Sequence, residues 1–257
     1  MTSEVRAHGA AQWPPAGWEV LPRAFFGRPV LTVAPALLGV VLAHETADGL
    51  VAAEIVEVEA YRGERDPASH AFRGMTNRNA VMFGEAGHAY VYFTYGMHFC
   101  VNLVCQRPGE AAAVLLRAGR VVAGAELAAA RRGVSRLGPG AERDLARGPA
   151  RLCQALAIGR AQNGADVAAP SSPLRVLAPA GFGGPDASAV SSGPRVGVRL
   201  GAEDPWRYWL TGERSVSSYR PHVPKRRPPG SPGSPGSPGS PSSPGSPDSR
   251  GSPAGIE

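Results

Sequence analysis

Two strand-patterned runs with almost nothing between them constrain this chain most. Val40–Glu45 and Val51–Tyr61 are rich in apolar and β-branched residues, and the turn triplet Ala47-Asp48-Gly49 lies between them. So short a connection has no room for a crossover, so the two runs must pair antiparallel. The pattern recurs at Tyr90–Tyr95 and Phe99–Cys105, which fold back on each other about Gly96-Met97. Ala112–Arg117 reads as another strand, and Arg195–Leu200 and Arg207–Leu210 as late ones. Helical segments fall between: a turn at Ala34–Leu38 with Pro35 near its start, then Val122–Arg132, then Pro149–Ile158 begun by Gly148-Pro149. Hairpins with inserted helices predict an α+β fold, a single domain on a curved antiparallel sheet with a protruding β-hairpin.

The ends of the chain differ from its middle. From Pro228 to Glu257, 25 of 30 residues are Pro, Gly or Ser. That tract has almost no apolar side chains to offset the entropy of ordering, so 228–257 is expected to be a disordered tail. Residues 1–20 are expected to be a loose segment, which leaves 21–227, about 210 residues, as one domain with a sizeable core. Residues 1–20 lack the apolar stretch of a signal peptide. The longest apolar run, Val30–Ala43, is interrupted by Thr32, Pro35 and Gly39 and is too short to span a bilayer. Cys100, Cys105 and Cys153 form no CxxC pair. No metal, no cofactor, no membrane association and a cytoplasmic location are the expectations.

The net charge is +6, and arginine supplies it, because Lys225 is the only lysine. A GC-rich genome, which favours Arg and Ala codons, and a polyanionic partner both account for this. Arginines at 62, 65, 73, 78, 131, 132, 136, 143, 147 and 151 crowd the middle of the chain and favour nucleic acid.

In the run Glu54–Tyr61, strand alternation puts Val56 and Val58 on the core face and Glu57, Glu59 and Tyr61 on the other. That second face is either a wet acidic surface or a cleft wall carrying a general base. Arg117 ends the apolar run AAAVLLR, where a guanidinium needs an anion unless it reaches the surface. Glu59 and Arg117 could hold one water between them. Tyr92, with Tyr61 and His70, could line a slot for a flat ring. Tyr90 and Phe93 read as ordinary strand aromatics. Asn102 is placed to read a ring edge or to satisfy backbone groups. Tyr95, at the hairpin tip, suits a wedge between stacked bases.

The stretches EIVEVEAY, DPASH, NRNAVMF, YVYFTYGMHFCVN, VLLRA, RGPARLCQALAI and RVGV occur in this order. Together they resemble the alkylpurine (3-methyladenine) DNA glycosylases of the mammalian alkyladenine glycosylase type, over about Arg23 to Ser217. The resemblance implies that Glu59 is the water-activating base and that Arg117 helps to hold the water. It implies that Tyr61, His70 and Tyr92 wall the base pocket, that Asn102 screens purine edges, and that Tyr95 fills the gap left by the flipped nucleotide. The partner implied is double-stranded DNA containing damaged purines, bound by a monomer. Gly212–Ser217 departs from the family pattern and is expected to stand clear of the pocket. With its one lysine, Lys225, at the edge of the tail and none elsewhere to form a Schiff base, the expected enzyme is a monofunctional hydrolase. The rival reading is a non-catalytic basic RNA- or DNA-binding module, because the glycosylase fold resembles the RNA-binding carboxy-terminal domain of methionyl-tRNA formyltransferase. Such a module needs the arginines and aromatics but not Glu59 with Arg117.

Overall fold

The computed structural model describes residues 13–94 and 96–223. Tyr95, residues 1–12, the boundary at 227 and the tract 228–257 lie outside the described residues. The described residues form one curved antiparallel sheet of nine strands with a few short helices. In chain order the elements are β1 (Trp18–Val20), α1 (Arg23–Phe26), α2 (Val30–Ala36), β2 (Val41–Thr46), β3 (Gly49–Tyr61), β4 (Ala89–Thr94) and β5 (His98–Val104). They continue with β6 (Ala113–Ala123), α3 (Ala125–Arg132), α4 (Pro139–Asp144), α5 (Pro149–Ala155), β7 (Leu174–Pro179), β8 (Val190–Gly193) and β9 (Arg207–Leu210).

The main path of the sheet is β1-β7-β2-β3-β6-β5-β4, with β9 also pairing β3 and β8 pairing β9. Both expected hairpins form: β2 with β3, and β4 with β5. The long strand β3 changes partner along one edge. Its first half pairs β2, and Glu57–Glu59 pairs Trp209–Arg207 of β9. On its other edge it pairs β6 from Ala52 to Tyr61, with register shifts between Ala52 and Ala53 and between Ile55 and Val58. A bulge there rotates successive side chains, as an extra residue in one strand must. It brings Ile55, Val58 and Ala60 into the main core and leaves Val56 buried outside that cluster, so Val56 and Val58 do not share the core face.

Helices α2, α3 and α5 pack on the sheet through β3, β5 and β6 and close the main core. The other face of β3 and β6 carries Glu57, Glu59 and Arg117, covered by the chain from Arg195 to Ser217.

Several expectations are corrected. The segment expected to be loose through residue 20 contains β1, which pairs β7. Pro35 lies near the end of α2, because that helix begins at Val30. The helix expected from Val122 starts at Ala125, because β6 continues to Ala123 and Gly124 breaks the strand. Gly124 has a φ of 73°, and a Cβ there would stand 2.1 Å from the Leu50 carbonyl oxygen, so only glycine makes this turn freely. Arg195–Leu200 is a loop, not a strand. Its first side chain is tied down by Asp66, and Gly197 turns the backbone at a φ of 69°.

Candidate active site

The face of β3 expected to be either wet or functional is dry. Glu57 and Glu59 are both 0% exposed, and Arg117 is 7% exposed. Arg117 Nη1 lies 3.2 Å from Glu59 Oε1, so the two groups are in direct contact. The same Glu59 oxygen accepts the Val196 N–H at 2.7 Å, and Oε2 accepts the Tyr61 hydroxyl at 2.8 Å. Burial, with the Glu59 carboxylate beside it, pushes the Tyr61 phenol well above its usual range, so it stays a donor.

Glu57 is a second hub. Its Oε1 accepts from Arg117 Nε at 2.8 Å, from Arg207 Nε at 2.7 Å and from the Ser217 hydroxyl at 2.9 Å. Its Oε2 accepts the Ser217 N–H at 2.7 Å. Burial alone would favour the protonated acid, but Arg117 and Arg207 outweigh it and hold the carboxyl below the usual range. For Arg117, burial opposes the charge, and Glu59 and Glu57 more than restore it. Two buried carboxylates thus meet two buried guanidinia. Removing one member of such a set costs about 3–5 kcal/mol, because it leaves a charge without a partner.

Tyr61 also lines a cavity of about 60 Å³ with Ser69, His70, Tyr90, Tyr92 and Asn102. The expected pocket residues therefore stand together. The His70 and Tyr92 rings meet edge-on at 4.5 Å, and Tyr90 stacks on Tyr92 at 5.5 Å. His70 Nδ1 lies 3.1 Å from the Tyr90 hydroxyl. The outer edge of His70 is exposed, but water is stripped from its packed face. That loss, with Arg78 nearby, lowers its pKa. Burial and the neighbouring Cys100 raise the Tyr92 phenol. Asn102 is buried and donates to the Tyr90 carbonyl at 3.1 Å, so part of its amide serves the backbone. The cavity has room for at most a few waters, so a flat ring enters only as the lining side chains move apart. Larger clefts exist, about 630 Å³ beside Arg120, Arg143 and Glu213, and about 370 Å³ between α2 and Gly183–Pro185, but neither is lined by a buried carboxylate.

The loop under the pocket is fixed by a pair that sequence reading missed. Arg195 is buried and grips Asp66 with two bonds of 2.6 and 3.0 Å. Asp66 accepts the backbone N–H groups of Arg62 and Ala68, which sets the turn leading to Ser69 and His70. The Arg195 guanidinium also stacks over Tyr61 at 4.8 Å. Tyr90, read as an ordinary strand aromatic, lines the cavity, whereas Phe93 packs on Phe99 and is half exposed. Ser217, in the segment expected to stand clear, lies 3.4 Å from Arg117 Nη2 as well as on Glu57. Arg62, Arg65, Arg73, Arg78, Arg136, Arg143 and Arg151 are exposed, and Arg78 lies over the Tyr92 ring at 5.9 Å. Among the described residues no three His, Cys, Asp or Glu stand close enough to hold a metal ion, and no helix is long and apolar enough to cross a membrane.

An antiparallel sheet with a buried carboxylate–guanidinium set on one face, joined through a tyrosine to a narrow aromatic cavity, marks out the class of site. Comparison with known proteins specifies the class further. The family model for methylpurine-DNA glycosylase (MPG) matches residues 24–214. A protein of Streptomyces avermitilis named "Putative 3-methyladenine DNA glycosylase" is 52% identical over 210 residues, 80% of this chain and 95% of that protein. Proteins of the same name from Leifsonia xyli subsp. xyli and Methanocella arvoryzae are 55% identical over 196 residues and 47% identical over 207. They cover 75% and 79% of this chain, and 89% and 98% of their own lengths. The chain belongs to the methylpurine-DNA glycosylase family.

Proposed function

We propose that this chain is a monofunctional DNA glycosylase of base excision repair, working on the plan of the mammalian alkyladenine glycosylase type. It flips alkylated or otherwise damaged purines out of duplex DNA and hydrolyses the N-glycosidic bond. It acts as a monomer in the cytoplasm. The observation that carries this reading is the contact between Tyr61 of the slot and the buried Glu59, because it couples the ring's binding place to a candidate base at 2.8 Å.

In the proposed reaction Glu59 takes a proton from a water that attacks C1′ as the glycosidic bond breaks. The negative charge of Glu59 also stabilises the oxocarbenium-like sugar. Arg117 orients the carboxylate through Nη1. Tyr92 and Tyr61 offer electron-rich faces to an alkylated, cationic purine. His70, with its pKa lowered, adds no positive charge against such a base at neutral pH. Asn102 meets the ring edge. Selectivity comes from the better leaving ability of the alkylated purine and the smaller cost of unpairing it. A non-catalytic module would gain nothing from a buried ion-pair set that well-packed apolar side chains could replace.

The test is a panel of duplexes, each carrying one lesion, incubated with the full chain and scored for free base. Release of alkylated purine with the strand intact, and no adduct trapped by borohydride, is the expected result. A trapped adduct would mean an amine nucleophile. No release from any duplex would favour the binding module.

A further inference from the structure

Arg117 is shared, and the sharing is uneven. Its Nε bonds Glu57 at 2.8 Å, whereas its contact with Glu59 is a single Nη1 approach of 3.2 Å. The better-held end of the guanidinium is thus the one remote from the proposed base. Glu57 in turn is gripped by Arg207 and twice by Ser217. Arg207 Nη2 donates to the Ser217 carbonyl at 2.9 Å, which closes a ring of contacts around one carboxylate. Arg147 Nε donates to the Val216 carbonyl at 2.9 Å and pins the residue before it. Ser217 lies beyond residue 214, where the family match ends, and 160 positions from Glu57 in the chain.

We infer that Ser217 and Arg207 form a clamp that fixes the Glu57 carboxylate, and that Glu57 thereby aims Arg117 at Glu59, making all three positioning residues for base release. This rests on the glycosylase reading above. A guanidinium is a rigid fork, so fixing its Nε edge fixes the direction of Nη1. With Glu57 loosened, Arg117 is free to rotate fully onto Glu59, and the carboxylate leaves its working orientation. Misplacement by about 1 Å is enough to cost on the order of 100-fold in rate. Ser217 anchors the clamp because it supplies both a backbone and a hydroxyl donor to the same carboxylate.

The experiment compares Ser217→Ala, Ser217→Thr and Glu57→Gln in the full chain. Each is measured for single-turnover base release, for affinity toward a duplex holding a non-hydrolysable abasic analogue, and for melting. Ser217→Ala removes one hydroxyl and keeps the backbone bond, so it folds. Its release rate is expected to fall about 10-fold with affinity unchanged, and with melting lowered but still well above the assay temperature. Ser217→Thr, which keeps the hydroxyl, should return the rate to within about 2-fold of native. Glu57→Gln should lose more than Ser217→Ala, and if it does not fold, the serine pair still decides. Native-rate release by Ser217→Ala, loss that follows affinity or unfolding at the assay temperature, or failure of threonine to restore the rate overturns the clamp alone. Failure of the native chain to release base overturns the clamp and the glycosylase reading together.

Discussion

Glu59 and Arg117 were legible because each is a charged residue on a strand that is otherwise apolar, and a buried charge needs a partner. The same logic applies to Arg207, which opens the strand-patterned RYWL, and to Glu57 on the face of Glu59. What sequence could not supply was the pairing, since Glu57 meets Ser217 and Glu59 meets Val196 across more than a hundred residues. Replacing Glu59 with Gln keeps the shape and removes the proposed base. Single-turnover release from an alkylated duplex should fall by about 100-fold or more, with affinity for an abasic product retained. A near-normal rate would place the base elsewhere. A second expectation concerns acid. His44 is buried in β2, 2.7 Å from the Leu156 carbonyl oxygen, and burial, with Arg131, lowers its pKa from 6.5. The folded state therefore binds this proton later than the unfolded chain does. Its contribution is complete above pH 6.5 and is lost as pH falls through the folded value. His70 acts in the same direction. Glu57, lowered from 4.5, adds a separate loss only below that pH. Melting temperature should thus decline on going from pH 7.5 to 5.5, and His44→Gln should show a smaller decline. An equal slope in both proteins would remove His44 from the account.

At the scale of elements, the hairpins were readable because their strands and turns are adjacent in sequence. The sheet order was not, because β7 separates β1 from β2, and β9 reaches across to β3. The bulge in β3 was also hidden, since the alternating pattern of the run gives no sign of an extra residue, and it moved Ile55 rather than Val56 into the core. Arg195–Leu200 looked like a strand because it alternates, but Arg195 is consumed by Asp66. The β4–β5 hairpin has its own test. Gly96, Met97 and His98 are exposed beside Tyr95, so a side chain at that tip has little core to support. Tyr95→Ser should leave stability within about 0.5 kcal/mol. If Tyr95 fills the gap of a flipped nucleotide, the loss of stacking, roughly 1–3 kcal/mol, should slow single-turnover release from matched duplexes by about 5- to 150-fold. Mispaired lesions, already cheaper to extrude, should suffer less. Unfolding of the variant would make Tyr95 a core residue. Native rates on both duplexes would move the wedge to Met97, the most exposed large apolar side chain of the tip.

For the whole molecule, the question is where the working chain stops. The family match ends at residue 214, yet Ser217 touches both Glu57 and Arg117. Contacts with the candidate site therefore extend past the end of the shared pattern, to Ser217. The Pro/Gly/Ser tract from Pro228 is a different matter. It carries one arginine, Arg250, against Asp248 and Glu257, so its removal leaves the remaining chain slightly more basic. It cannot supply the counterion release that drives binding to phosphates, and it offers no aromatic side chain for stacking. Two truncations separate these regions. A chain ending at Arg227 keeps Lys225, Arg226 and Arg227 as well as the clamp. It should release alkylated base within a few-fold of the full chain, with the same dependence of affinity on salt. A chain ending at Gly212 loses Ser217 and leaves Glu57 short of two of its donors while Arg117 and Arg207 still press on it. Breaking a buried set in this way costs about 3–5 kcal/mol, so this shorter chain should melt at markedly lower temperature and release little base even where it remains folded. The measurements are melting curves and single-turnover release for the three chain lengths. Collapse of the chain ending at Arg227 would show that the tract contributes to the fold or to the reaction. Native behaviour of the chain ending at Gly212 would show that Glu57 finds other donors and that the carboxyl-terminal strap is dispensable.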